Sequence, residues 1–203
     1  MFLHIKEVNL FFSHTGEDIL LNGVLKNKPY GFYIDIGAYD PIHYSNTYLF
    51  FVRGWNGINI DANPDFIKKF NQSRPKDINI SAGVSDKPGE LIYYQYKNGV
   101  FNTFSKEKMK QYGHPIKKTK INVLRLDNIL DNYLPKGTII DFMNVDVEGF
   151  DLRVLKSNNW KKYRPNIIAV ESDKPDIDKF LKSHGYKLSC STIMTKIFVN
   201  TKV

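Results

Sequence analysis

Two segments limit what this chain can become: Phe32-Tyr33-Ile34-Asp35-Ile36-Gly37-Ala38-Tyr39-Asp40 and, after a helix-length gap, Gly57-Ile58-Asn59-Ile60-Asp61-Ala62-Asn63-Pro64. Each is β-branched and apolar and closes on an acid or on acid-x-Gly, the pattern of a buried strand whose tip carries chemistry. Joined by a helix, the pair makes half of a nucleotide-binding α/β sheet. In such a unit the glycine lets a ligand approach the backbone and the second acid binds a ribose diol. The ligand expected is an adenosine-type cofactor.

The alternation continues. Asn63 is placed to cap a helix with Pro64 at its first position and Phe66, Ile67 and Phe70 on its apolar face. A third strand is expected over 77–84 and an inserted strand or hairpin arm over 91–96. The stretch 101–120 reads as a loop with a short helix. Asp127 is expected to cap a helix carrying Ile129, Leu130, Tyr133 and Leu134. A fourth strand over 139–145, a helix from Phe150, a fifth strand over 167–170 and a helix stopped by Gly185 follow. The tail from Tyr186 to Val199 reads as two strands around Ser189 to Thr192, an antiparallel finish. Five strand–helix units and a hairpin predict a mostly parallel, doubly wound sheet.

With 203 residues the chain fits one domain, expected over 1–203, with 1–30 as a helical lead-in and 90–120 as an insertion on the substrate side. A single cysteine, Cys190, makes no internal disulfide, and His4, Lys6 and Glu7 interrupt any secretory signal. No apolar run approaches the ~18 residues a bilayer span needs, so a soluble cytoplasmic protein is expected. The net charge of +8 favours anionic partners, or simply a lysine-rich solubilising surface. The basic residues read as scattered, densest at Lys117-Lys118-x-Lys120, with no nucleic-acid-binding motif beside them.

Doubly wound sheets bind ligands beyond the carboxyl ends of their strands. Those ends are Asp35 to Gly37, Asp61, Gly83 to Asp86, Asp146 to Gly149 and Glu171-Ser172. Carboxylates at four of the five (Asp86, at the third, lies just past its strand) suit a cation such as S-adenosylmethionine better than a pyrophosphate. The loop Gly37-Ala38-Tyr39-Asp40-Pro41 lacks the second glycine a pyrophosphate needs, and no phosphate loop appears, which disfavours a nicotinamide enzyme.

Ile34-Asp35-Ile36-Gly37-Ala38, Ser45-Asn46-Thr47, Gly54-Trp55-x-Gly57-Ile58-Asn59-Ile60-Asp61-Ala62 and the diagnostic Asp146-Val147-Glu148-Gly149, with Ser13-x-x-Gly16-Glu17-Asp18 before them, resemble the FkbM family of S-adenosylmethionine-dependent methyltransferases. The resemblance runs from about Ser13 to the C-terminus and implies an α/β, doubly wound, mostly parallel seven-stranded Rossmann-like methyltransferase sheet with an antiparallel C-terminal hairpin. It implies O-methylation of a sugar hydroxyl in a polysaccharide, glycolipid or glycoconjugate, with a sugar or glycan acceptor, nucleotide- or lipid-linked. Pro41, where many members have glycine, and His14, often glutamine, depart from the pattern.

On this reading Asp61 accepts both ribose hydroxyls, followed by Ala62. Gly37 and Ala38 admit the cofactor to the backbone and Asp35 serves its methionine end. Ser45, Asn46 and Thr47 present groups to its carboxylate, while Ser85 and Asp86 lie on the adenine side. A sugar hydroxyl is a poor nucleophile and needs a base or a metal. Asp146 is expected at the reaction centre, with Glu148 and His43 as further catalytic candidates and Glu171 as a substrate or metal contact. Carboxylates at adjacent strand ends can gather Mg²⁺, but no ligand spacing specifies a metal site, so none is assigned. Aromatics between Tyr93 and Tyr112 can stack on sugar rings. A nucleic-acid methyltransferase and a non-catalytic cofactor-binding module are the alternatives.

Overall fold

The computed structural model describes residues 11–171 and 174–202. Helix α1 (Glu17–Val24) leads into β1 (Phe32–Ile36), α2 (Tyr48–Val52), β2 (Asn56–Asp61), α3 (Pro64–Ser73) and β3 (Ile78–Ser81). Then come β4 (Gly83–Val84), β5 (Gly89–Gln95), α4 (Lys106–Tyr112), β6 (Lys117–Leu124) and α5 (Leu126–Tyr133). The chain ends with β7 (Phe142–Val145), α6 (Asp151–Lys156), β8 (Ile167–Glu171), α7 (Pro175–Ser183), β9 (Tyr186–Ser191) and β10 (Thr195–Asn200).

Seven strands form one sheet in the order β3-β2-β1-β7-β8-β10-β9. From β3 to β8 every pairing is parallel, and β10 runs antiparallel to both β8 and β9. Strand alternation separates two cores. Ile34, Ile36, Met143 and Val145 face α5, α6 and α7, whereas Tyr33, Phe142 and Ala169 face α1, α2 and Trp55. Apolar strands buried on both faces are what a doubly wound sheet requires. The order reverses between β1 and β7, so the crevice lies above the tips of those two strands.

Several boundaries differ from the sequence reading. The expected third strand is two: β3 pairs with β2 in the main sheet, and after Ala82 the chain enters a second sheet, β4-β6-β5. Part of the stretch read as loop is β6, whose many lysines mask its alternation. Arg125, not Asp127, stands at the N-cap of α5, and Asp127 instead binds the Arg125 guanidinium at 2.7 Å. Strand β7 begins only at Phe142, and the C-terminal turn falls at 192–194, later than expected. Asn63 does cap α3, its side chain accepting from the Asp65 amide at 3.0 Å. Of the expected lead-in, residues 1–10 lie outside the described residues.

Arg74, directly after α3, is the largest polar side chain sealed in the core, 0% exposed. Its guanidinium donates to the Thr47 and Ser45 hydroxyls at 2.8 Å each and, through Nε, to the Pro41 carbonyl at 2.8 Å. Three rings, Tyr48, Phe51 and Phe70, lie within 5.3 Å of it. One cation thereby fastens the loop leaving β1. Arg74→Met is expected to lower unfolding free energy by about 3–5 kcal/mol, because the hydroxyls and carbonyl it satisfies stay buried without donors. Urea denaturation measures this; an unchanged midpoint would contradict the account.

Candidate active site

A cleft of about 380 Å³ opens above the tips of β1, β2 and β7. Its floor holds Asp35, Gly37, Ala38, Asn46, Asp61, Ala62, Asn144 and Asp146, and the segment 98–104 crosses it from the β5 side. Asp35 is buried, accepting from the Thr47 hydroxyl at 2.7 Å and the Asn144 amide at 2.9 Å. Asn144 in turn accepts from the Asn46 amide at 2.9 Å, so a polar chain links the two central strands to the loop after β1. Burial pushes the Asp35 carboxyl up, against the pull of Asn144, Thr47 and the Arg74 charge.

Asp61 ends β2 with its carboxylate accepting from the Asn63 amide at 2.7 Å and the Tyr39 amide at 3.0 Å. Burial, opposed by those amides and aided by the Asp35 charge, raises its pKa to about 6. The two amides fix its orientation at the cleft wall, where it retains lone pairs for a bound group. Phe66, expected to pack on the core, instead lines the cleft, its ring edge-on to Tyr39 at 5.1 Å.

Gly37 has φ 82°, and a Cβ there would stand 1.8 Å from the Asp146 carbonyl oxygen. Its glycine identity is therefore imposed first by the protein's own backbone, where strands β1 and β7 converge, rather than by a ligand. Its amide and that of Ala38 both donate to the Ile60 carbonyl, at 2.9 and 3.2 Å. Neither is left for a cofactor.

The acids converge at one end. Carboxyl oxygens of Asp146, Glu148 and Glu171 lie within 4.8 Å of one another. Burial, then the Glu171 charge, raises the Asp146 carboxyl well above the usual carboxylate range. Burial also raises Glu148, which Tyr112 and Lys108 counter: the Tyr112 hydroxyl donates to its carboxylate and the Lys108 ammonium lies 3.5 Å away. Glu148 sits at φ 51°, a backbone state costing about 1–3 kcal/mol for a non-glycine residue. The Thr103 hydroxyl, donating to the Glu148 carbonyl at 2.8 Å, helps hold it there. Beneath, Asp151 accepts from the Val147 and Gly149 amides at 3.1 Å each, its pKa raised to about 7 by burial. An oxygen set of this kind suits a hard divalent cation or a shared proton. A second compartment of about 250 Å³ adjoins, sharing Asp146, Glu148 and Glu171 with the first and walled by Ile193 and Met194. The acids stand on the boundary between the two.

Three candidates fall outside the cleft. His43 is exposed (79% of its side chain), its ring turned toward Asp40 at 3.4 Å. Ser85 and Asp86 follow β4, after the chain has left the main sheet; the Ser85 hydroxyl donates to Asp86, and Asp86 pairs with Arg153 at 3.5 Å. Residues Ala82 to Val84 line the cleft in their place. Ser45 lines it, but its hydroxyl and that of Thr47 are already engaged by Arg74 and Asp35. The Ser172 named with Glu171 lies outside the described residues. Sequence reasoning missed Asn144, though it stands two residues before Asp146. It also missed Thr103 and Lys108, for which no local pattern exists, and it read Tyr112 as a ring for sugar stacking where the structure has its hydroxyl donating to Glu148. His14 lines the cleft, its ring beside Tyr44 at 5.0 Å.

The methyltransferase FkbM domain profile matches residues 35–188, most of the chain. The chain belongs to the FkbM methyltransferase family. No curated protein matches it. Among solved structures, the methyltransferase FkbM from Methylobacillus flagellatus KT is similar in fold, with a TM-score of 0.51 at 14% identity over 84% of this chain. The alignment spans 44% of that chain. The fold likeness and the family match thus agree, and among the described residues no helix is long and apolar enough to cross a membrane.

Proposed function

We propose that this FkbM protein is an S-adenosylmethionine-dependent O-methyltransferase acting on a sugar hydroxyl. The observation that carries the reading is that Asp61 and Asp146, from strands on either side of β1, face one cleft. The cleft is lined by Glu17, Asp35, Asp61, Asp146, Glu148 and Glu171 against a single lysine, Lys108. That field suits a sulfonium and disfavours a nucleic-acid strand, which needs cations along the same edge. When bound, S-adenosylmethionine supplies a methyl group on positively charged sulfur.

The residues divide the labour. Asp61 receives the ribose hydroxyls, with Phe66 and Tyr39 beside it. The acceptor reaches the acids from the second compartment, to which Lys108 of the 90–120 insertion contributes, while residues 98–104 of that insertion cover the first cleft. Asp146 would take the proton from the acceptor hydroxyl while the bound sulfonium would supply the methyl group to that hydroxyl's oxygen. An in-line displacement of this kind depends on position more than on acid strength. Glu148 and Glu171 hold Asp146 and the acceptor in place. The same three carboxylates fit Mg²⁺: activity lost in chelator and restored by Mg²⁺ would assign them to a metal, and activity indifferent to chelator would assign Asp146 to direct proton removal.

Calorimetry tests the cofactor. S-adenosylmethionine is expected to bind, more tightly as pH rises through about 6, because only ionised Asp61 accepts from both hydroxyls. Asp61→Ala is expected to weaken binding by about 100-fold, from the loss of two charge-assisted hydrogen bonds. Absence of binding, or a preference for NAD, would overturn the proposal.

A further inference from the structure

The net charge of this chain is not spread evenly. Between positions 97 and 120 stand seven lysines and one acid, Glu107, so this short stretch carries six of the eight net positive charges. Lys97, Lys106, Lys110, Lys117, Lys118 and Lys120 are exposed, and only Lys108 turns into the cleft. Among these cations the fold also presents apolar side chains to solvent: Ile116 at 72% and Phe101 at 40%.

Neither is loose. Ile116 donates its amide to the Gln95 carbonyl at 2.8 Å, and Phe101 packs on Tyr112 with ring centroids 4.9 Å apart. Tyr96 ties the same region together, its hydroxyl donating to the Gly113 carbonyl at 3.1 Å. Tyr112 reaches Glu148, so the lysine-rich surface is continuous with the rim of the acidic cleft.

We infer that the β5–α4–β6 insertion docks on a bilayer surface rich in anionic phospholipid headgroups. The chemistry separates this partner from nucleic acid. The stretch 97–120 contains no arginine, the residue suited to forked phosphate and base recognition. Its rings Phe101, Tyr96 and Tyr112 pack on one another instead of splaying for bases to stack upon. An aliphatic tip flanked by lysines gains nothing from a phosphate backbone, but it does gain from burial at the headgroup–acyl boundary. The consequence for catalysis is an acceptor sugar presented on a lipid, delivered to the cleft rim from the docked surface. That consequence rests on the methyl-transfer reading above. The docking itself does not, and it is measured without methyl donor, so the two fail separately.

The experiment is sedimentation of the full chain with vesicles of phosphatidylcholine alone and with roughly a third phosphatidylglycerol, in low and high salt. Binding is expected only to the anionic vesicles, weakening with salt. Each lysine near such a surface is worth about fivefold in partitioning, so Lys117→Gln with Lys118→Gln should weaken it at least about tenfold, and Ile116→Ser should weaken it severalfold with little change in salt dependence. Both sites are exposed, and an unchanged thermal melt confirms folding. Equal binding to both vesicle types, none to either, full competition by inorganic phosphate, or tighter binding to single-stranded DNA than to anionic vesicles would each overturn the inference.

Discussion

Asp146→Asn is expected to lower turnover by about 10²- to 10⁴-fold, the usual worth of a positioned base. Affinity for S-adenosylmethionine should stay within about threefold, because the loss falls on the transition state rather than on ground-state binding. Stability provides an independent check. In the folded protein burial and the Glu171 charge push the Asp146 carboxyl well above the usual carboxylate range, so ionising it works against the fold. Its folded pKa exceeds the unfolded value, so its stabilising contribution is fully present below the ordinary carboxylate range and is lost as pH rises through the elevated pKa. The amide variant removes that ionisation, and its melting temperature near neutral pH should equal or exceed that of the natural protein. Turnover in the natural protein should rise with pH as Asp146 ionises. An inactive variant that also melts early would show a structural role, and one with full activity would remove Asp146 from the chemistry.

Gly37→Ala should be the most damaging single methyl group. The added Cβ would meet the Asp146 carbonyl oxygen at 1.8 Å, and φ 82° is unfavourable for any side chain at that position. Neither strand can retreat, because β1 is paired with β2 on one side and β7 on the other. Backbone strain of about 1–3 kcal/mol and overpacking of similar size add to about 3–5 kcal/mol. In a chain of this size that lowers the melting temperature by roughly 10 °C. Thermal denaturation measures it, and a variant of natural stability would show that the strand tips are not packed as described.

What the sequence made legible follows from range. Strand tips that end in acid-x-Gly or in an acid combine local composition with a fixed place in a parallel sheet, so Asp35, Gly37, Asp61, Asp146 and Glu148 could be read in advance as a group. The centre of the main sheet was equally readable because β1, β7 and β8 are mostly apolar and buried. Three things were not. Arg74 acts across a gap of 27 residues to Thr47, and nothing near it in the chain distinguishes it from a surface arginine. Gly83, where β4 begins, read as the end of one strand rather than as a change of sheet, so Ser85 and Asp86 were carried onto a strand tip they do not occupy. His43 drew attention by its chemistry and its position in the loop after β1, whereas Asp40 holds that stretch of the loop outward: its carboxylate accepts from the Ile42 and His43 amides at 3.1 Å each.

Strand β4 meets β6 in parallel register, Gly83 opposite Val123 and Val84 opposite Leu124. The segment between those two pairs therefore leaves the main sheet and returns beside its own start, and on the way it touches the body through Thr103 and Tyr112, whose hydroxyls hold Glu148. A lineage can re-tailor what it grips by rewriting this loop so long as those two hydroxyls survive, and an engineer who transplants it as a cassette must carry Thr103 and Tyr112 across with it.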